Sequence, residues 1–291
     1  SKIVLIVAGS HYHMMHDDLL SSKGPLYGRT TANLMLGDIP PREVCQFLPR
    51  YSMDQIVETY SVIGGVPKYL ELWNDGWPVL RNVEEVVLSP TTIFRQEPSF
   101  LIQDEIADAR TYLGILEALG QGMRTPSTIA TITGIAQPHV GKYLQSLLLL
   151  GLIRRDVSAD APDPRNTRLA RYEISDPYLR FHFTFVRPHT ALLEQGRISH
   201  LMGIIKERFD AYVAHTGYEE MCRRIVTEMA DQDELSFKPD RIGRIWTRHA
   251  EVDIAAAGMK DRVVLLGECK WSRHKVGVQV LQELKAKAER L

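Results

Sequence analysis

The clearest alternation of apolar and polar positions lies between Glu251 and Trp271. Val252, Ile254 and Ala256 alternate with Glu251, Asp253 and Ala255, the period of two expected of a strand buried on one face. Val263–Leu266 is a short branched apolar run suited to a buried strand, and Gly258–Arg262 supplies a turn between the two. Elsewhere the spacing is helical. Asp54–Tyr60, Lys68–Trp73 and Trp77–Val87 read as short helices, with a boundary near Ser89-Pro90. Asp104–Leu119 and Gln137–Leu150 have helical apolar spacing, and Thr125–Thr133 opens on cap-type residues. Leu152-Ile153 and Arg171–Ile174 are strand-like and flank a polar loop at Ser158–Arg168. Asp176 and Pro177 start a helix whose aromatics Tyr178, Phe181 and Phe185, spaced three and then four apart, predict interdomain core. Ile198–Ala214 continues helical and leads into Gly217–Val226; Val276–Arg290 reads as a terminal helix carrying Gln279 and Gln282 toward the Glu251–Trp271 hairpin.

Pairing of the two strands brings chemistry together. Asp253 and Glu268 are fifteen positions apart, yet a hairpin sets them side by side, and period two puts Lys270 on the face of Glu268. Two carboxylates and an ammonium at a sheet edge suit phosphodiester hydrolysis: oxygen ligands hold Mg²⁺ or Mn²⁺, the metal lowers the pKa of a water, and the lysine orients that water or offsets charge on the phosphate. A surface hairpin with a solvated Glu–Lys pair is the plainer alternative. The combination of Tyr218-Glu219 on a helix, Gly243-Arg-Ile-Trp246, Glu251-Val-Asp253 and Gly267-Glu-Cys-Lys-Trp271 resembles the PD-(D/E)XK nuclease-like superfamily. That resemblance implies Glu219, Asp253 and Glu268 as metal ligands and Lys270 as the catalytic lysine. Glu219 is favoured over Glu220 because it follows the aromatic residue; Ile245 stands where the family carries a first Trp.

A second resemblance runs along most of the chain. Ile3–Ala8 is a buried-strand pattern ending at Gly9-Ser10, followed by Met14-Met15, Gly24–Thr30 with Arg29, Tyr60 and Gly64-Gly-Val-Pro-Lys-Tyr-Leu70. These are similar to the later half of archaeal-type STAND ATPases related to AAA+ proteins, with Ser10 ending a sensor strand and Gly65 and Pro67 in an element near the adenine. Gly64–Pro67 also reads simply as a turn between helices. No Gly-x-x-x-x-Gly-Lys-Ser/Thr occurs in the 291 residues, so ATPase activity is not expected of this chain alone and ATP is expected only in a longer parent. The opening strand without partners and the first residue, Ser1, lead to the expectation of a fragment.

The helix, helix, turn, helix and hairpin of residues 101–176 predict a winged helix-turn-helix. In a DNA-reading mode Gln137, His139, Lys142 and Tyr143 would face the major groove, with Arg165 and Arg168 on phosphate; alternatively Leu147–Leu150 makes the second helix a packing element.

Composition changes the picture only locally. Hydrophobic residues are 44% and charged residues 24%, as in ordinary globular protein, and the net charge of -1 gives no general attraction to nucleic acid. From Lys238 onward, however, twelve Lys/Arg face seven Asp/Glu, a basic end suited to a polyanion. Three cysteines without metal-site spacing suggest a reducing, cytoplasmic setting, and no apolar run reaches the length of a membrane span.

The expected architecture is therefore multidomain α/β and α+β: an ATPase-core remnant (1–50), a helical lid (51–100), a winged helix (101–176), a helical linker (177–210) and a restriction-endonuclease-like domain (211–291). The expected function is metal-dependent DNA cleavage. The alternatives are a non-catalytic DNA-binding or interaction protein, which self-associates or engages an ATPase partner, and a fragment of an ATP-binding ATPase.

Overall fold

The computed structural model describes residues 36–95, 97–98, 109–165, 169–247, 249–260, 262–272 and 274–291, with isolated positions before residue 36. Gly9-Ser10, Met14-Met15, Arg168 and most of the strand expected at residues 3–8 lie outside the described residues; Arg29 is exposed. The architecture of the described residues is mixed α/β, with many helices and two small antiparallel sheets. No described helix is long and apolar enough to cross a membrane.

The first helices are α1 (Pro41–Phe47), α2 (Met53–Ile63), α3 (Pro67–Leu72) and α4 (Val79–Asn82), the last running on as a π turn over Val83–Val87. A reciprocal capping box at Ser52 and Gln55 starts α2, satisfying backbone N–H groups that the first turn leaves unpaired. Gly64 ends it at φ 65°, a conformation that costs glycine little, and Pro67 opens α3. Gly64–Pro67 is thus the turn between α2 and α3. Ile39 donates to the Gly65 carbonyl at 2.9 Å, an approach so close that a Cβ on Gly65 would overlap the Ile39 backbone.

Helices α5 (Ala109–Gly120), α6 (Pro126–Thr133) and α7 (Gln137–Leu149) follow, then the hairpin of β1 (Ile153–Asp156) and β2 (Arg171–Ile174), paired Ile153↔Ile174 to Asp156↔Arg171. Ile115, Leu116, Ile129, Val140, Leu144 and Leu147 close a core beneath the hairpin. The order of helices and hairpin agrees with the expectation for this segment.

Helix α8 (Pro177–Phe181), capped by Asp176 and continued by a π turn over His182–Val186, serves two cores at once. Tyr178, Phe181 and Phe185 pack with α1–α4, while Leu179 and Phe183 pack with α5–α7. The aromatic stripe is core between segments, as its spacing predicts. Residues 177–210, expected as a linker, form with α9 (Thr190–Glu194) and α10 (Ile198–Val213) a wall of the first core: Leu201, Ile205, Phe209 and Val213 are buried against α2 and its neighbours.

A π turn over Ala214–Tyr218 joins α10 to α11 (Glu219–Asp231). The second sheet then runs β3 (Arg241–Trp246), β4 (Glu251–Gly258) and β5 (Val263–Gly267) in that order, before α12 (Gln279–Ala288). The hairpin expected from Glu251 to Trp271 is present, with β4 central, but the run Val263–Leu266 is not the buried strand its apolar residues predict: it lies at the edge of this sheet, with Val263 43% and Val264 48% exposed. The β3–β4 register slips by one between Gly243 and Ile245, so Arg244, Ile245 and Trp246 are all buried in succession, against a strand's usual alternation.

Candidate carboxylate–lysine site

The β4–β5 register pairs Ile254 with Gly267, and one further step sets Asp253 opposite Glu268. Asp253 Oδ2 accepts the Cys269 N–H at 2.8 Å, which ties the carboxylate to the segment leaving β5. Lys270 Nζ lies 2.9 Å from Glu268 Oε1. The structure therefore brings Asp253, Glu268 and Lys270 together where the hairpin pattern predicts them.

Electrostatics distinguishes the two carboxylates. Burial pushes the Asp253 carboxyl above its usual range against the Cys269 hydrogen bond, and the negative charges of Glu219 and Glu268 add to the rise. Burial acts on Glu268 in the same sense, but hydrogen bonds from Lys287 and Lys270 outweigh it and hold the group low. Lys287, on α12, donates to both Glu268 oxygens at 2.8 Å. Gln279 and Gln282 are exposed, and Gln279 donates to Glu283 of its own helix. Val280, Leu284 and Lys287 share the i, i+4, i+7 face and are the half-buried positions of α12, so it is the packing of that face that brings Lys287 to Glu268.

Glu219 is seated differently. It is 7% exposed, with His215 Nδ1 at 2.8 Å, Arg223 Nη1 at 3.6 Å and Arg244 Nε at 3.6 Å. Next to it, Glu220 meets Arg154 at 3.0 Å and Arg224 at 3.2 Å, and the arginines bring its carboxyl down to about 2 against the effect of burial. Glu173 of β2 receives Arg244 at 2.8 Å, Arg154 at 3.0 Å and Arg124 at 3.1 Å. These ion pairs join the β1–β2 hairpin to α11 and β3. Composition gave no hint of them, because their members are scattered along the sequence.

Among the described residues no three His, Cys, Asp or Glu side chains converge as a ready metal cage. Asp253 and Glu268 nevertheless offer hard oxygen donors of the kind Mg²⁺ uses when one or two carboxylates, water and a substrate phosphate complete its shell. Around them, Tyr218 packs against Trp271 with ring centroids 5.2 Å apart, and Arg223 donates to the Asp253 carbonyl at 3.2 Å. The Cys222 thiol of α11 is lowered to about 7, chiefly by the neighbouring Cys269. All three cysteines are free.

Gln137, His139 and Lys142 are exposed near the start of α7, with Val140, Leu144 and Leu147 turned inward. Tyr143 is half-buried against Tyr112. Arg165 is exposed in the hairpin loop, its N–H on Asp163 and its carbonyl taken by Arg155. The same loop docks on β3: Ala159 donates to the Arg244 carbonyl at 2.8 Å, the Trp246 N–H donates to Ser158 Oγ at 3.2 Å, and Arg241 reaches the Ala161 carbonyl. A cavity of about 250 Å³ lies between α5, β2 and α10; of its three arginines, Arg124 and Arg180 are engaged by Glu173 and Glu220, and Arg208 stacks over the Phe185 ring.

A family model, DUF234, described as archaea bacterial proteins of unknown function, matches residues 182–287, a span that includes Glu219, Asp253, Glu268, Lys270 and Lys287. The chain is 29% identical over 271 residues to an uncharacterized protein of Methanocaldococcus jannaschii, MJECL04. That similarity spans 93% of this chain and 60% of the relative's length. No solved structure matches the chain.

Proposed function

We propose that residues 211–291 form a PD-(D/E)XK nuclease-like domain that cleaves DNA phosphodiester bonds with Mg²⁺ or Mn²⁺. The observation that carries this reading is the convergence of Asp253, Glu268 and Lys270 from two adjacent strands, with Lys270 2.9 Å from Glu268. A divalent cation held by the Asp253 and Glu268 carboxylates would supply a bound water of lowered pKa. The protein's own part is positioning. The Cys269 N–H orients Asp253, the hydrogen bond from Arg223 anchors the strand beneath it, and Lys270 presents a positive charge to a phosphate oxygen or the attacking water. Glu219, expected as a third ligand, contributes in this reading as a buried negative charge that favours a cation beside Asp253, while its arginine partners hold α11 against the sheet.

The test is Mg²⁺- and Mn²⁺-dependent cleavage of linear, nicked and single-stranded DNA by the chain, Asp253→Asn and Lys270→Ala. Cleavage should drop at least about a hundredfold in both variants, the scale of a lost catalytic group, with folding intact by circular dichroism. Equal cleavage by wild type and variants would sink the reading.

A second reading is supported by the exposed row of Gln137, His139 and Lys142. In it residues 101–176 are a winged helix that holds DNA through α7, with Arg165 on phosphate, and residues 211–291 serve binding alone. Unchanged DNA affinity in Asp253→Asn together with absent cleavage would favour it. ATP binding, self-association and an ATPase partner are proposals for a longer protein; this chain should show no ATP affinity in a filter-binding assay.

A further inference from the structure

We infer that Lys287 is a latch: it holds Glu268 closed, and a divalent cation reaches that carboxylate only when the terminal helix α12 gives the lysine up. The inference rests on the carboxylate-pair reading above and adds to it the residue that controls access.

Glu268 accepts three hydrogen bonds from two ammonium groups. Oε1 receives both Lys270 and Lys287, and Oε2 receives Lys287, all within 2.9 Å. Charge-assisted bonds of this length are strong and directional, and a cation that takes both Glu268 oxygens must displace Lys287, which bridges them. Lys270 and Lys287 set two positive charges against the Asp253 and Glu268 carboxylates, and so weaken the attraction that these, with Glu219 near Asp253, offer a divalent ion. Removing one ammonium strengthens it.

Of the two lysines, Lys287 is the one able to leave. Lys270 sits two residues from Glu268 on the segment leaving β5. Lys287 comes from a helix that buries no residue, with its Leu281 52% exposed and Val278 at its N-cap 72% exposed. Among the described residues, the side-chain hydrogen bonds between α12 and the rest of the chain are those from Lys287 to Glu268. A helix so weakly packed opens at low free-energy cost, and breaking its one ionic anchor both frees Glu268 and releases α12. Cation binding and helix release are therefore one equilibrium, and a ligand that favours the open state shifts it.

Calorimetric titration of Mn²⁺ into wild type, Lys287→Met, Lys287→Arg and Asp253→Asn tests this, together with amide hydrogen exchange over residues 279–288. Lys287→Met should bind Mn²⁺ about tenfold or more tightly than wild type, as expected when a like charge leaves the site. Lys287→Arg, which keeps the charge, should stay near wild type, and saturating Mn²⁺ should speed exchange in α12 of the wild type. Equal affinity in wild type and Lys287→Met, with binding abolished by Asp253→Asn, overturns the latch and leaves the carboxylate pair standing. Weaker binding by Lys287→Met also overturns it. Absence of binding in every variant removes the carboxylate-pair reading, and the latch with it.

Discussion

Arg244 shows what a single residue decides here. It is 3% exposed, and its guanidinium meets Glu173 at 2.8 Å, Glu219 at 3.6 Å and Asp156 at 3.7 Å. Burying that charge is costly unless it is paired, and the bulge in β3 turns the side chain toward three carboxylates from three other elements. Its Nε has no hydrogen-bond partner among the described residues, so the contact with Glu219 is one of charge rather than of geometry. Removing Arg244 leaves Glu173 and Glu219 each short of a positive partner. Arg244→Met should therefore destabilise the protein by about 3–5 kcal/mol, the cost of breaking a buried pair from one side. Urea denaturation measures this; a loss below about 1 kcal/mol would show that the remaining arginines suffice. The sequence marked Arg244 inside Gly243-Arg-Ile-Trp246, but the need for an arginine arises only where segments 156, 173 and 219 meet.

Among the elements, the join between α10 and α11 sets the position of Glu219. The two helices run on through the π turn Ala214–Tyr218, and Gly217 in that turn lies so close to α2 that a Cβ would overlap Ser61 Oγ. The Ser61 hydroxyl is itself committed to the Val57 carbonyl at 2.7 Å. Gly217→Ala must move α2 or α11, with a cost of about 1–3 kcal/mol typical of overpacking. Ser61→Ala in the same chain should recover part of the loss, because it removes the nearest atom, and a double-mutant cycle read by thermal melts isolates that coupling. Additive losses would mean that the two positions do not share the contact. Helical periodicity predicted both helices; it could not predict that a glycine lets them pass α2 and so set α11 beneath the carboxylate pair.

Across the whole molecule, opposing titrations shape the response to acid. Burial, with Arg187 and Arg95 nearby, lowers His182 to about 4, so the folded state loses stability as pH falls below the ordinary histidine value of about 6.5 toward 4. Burial raises Asp176 to about 6, so folding is relieved of a buried negative charge over nearly the same interval, and the two effects offset each other. Glu220, at about 2, and Glu173, held lower still, behave in the opposite sense to Asp176. Their stabilisation is full above the ordinary glutamate value of about 4.3 and is lost as pH falls through the depressed one. Melting temperature should therefore change little from pH 7 to 5 and fall steeply below about 4.5. A decline concentrated between pH 7 and 5 would assign the acid response to His182 instead.

Strand alternation and helix spacing are properties of neighbouring residues, so the sequence by itself determined the hairpin of Asp253, Glu268 and Lys270, the capped starts at Thr125 and Asp176, and the buried aromatic stripe of α8. Tertiary structure alone decided which distant charges meet. It seated Glu219 among His215, Arg223 and Arg244, docked the hairpin loop on β3, made residues 177–210 the shared wall of two cores, and turned Lys287 rather than Gln279 or Gln282 onto Glu268. The physical reason is range. A local pattern places a side chain on a face, whereas the partner it finds there comes from whichever element packs against that face, and that choice is made by the collapse of the whole chain.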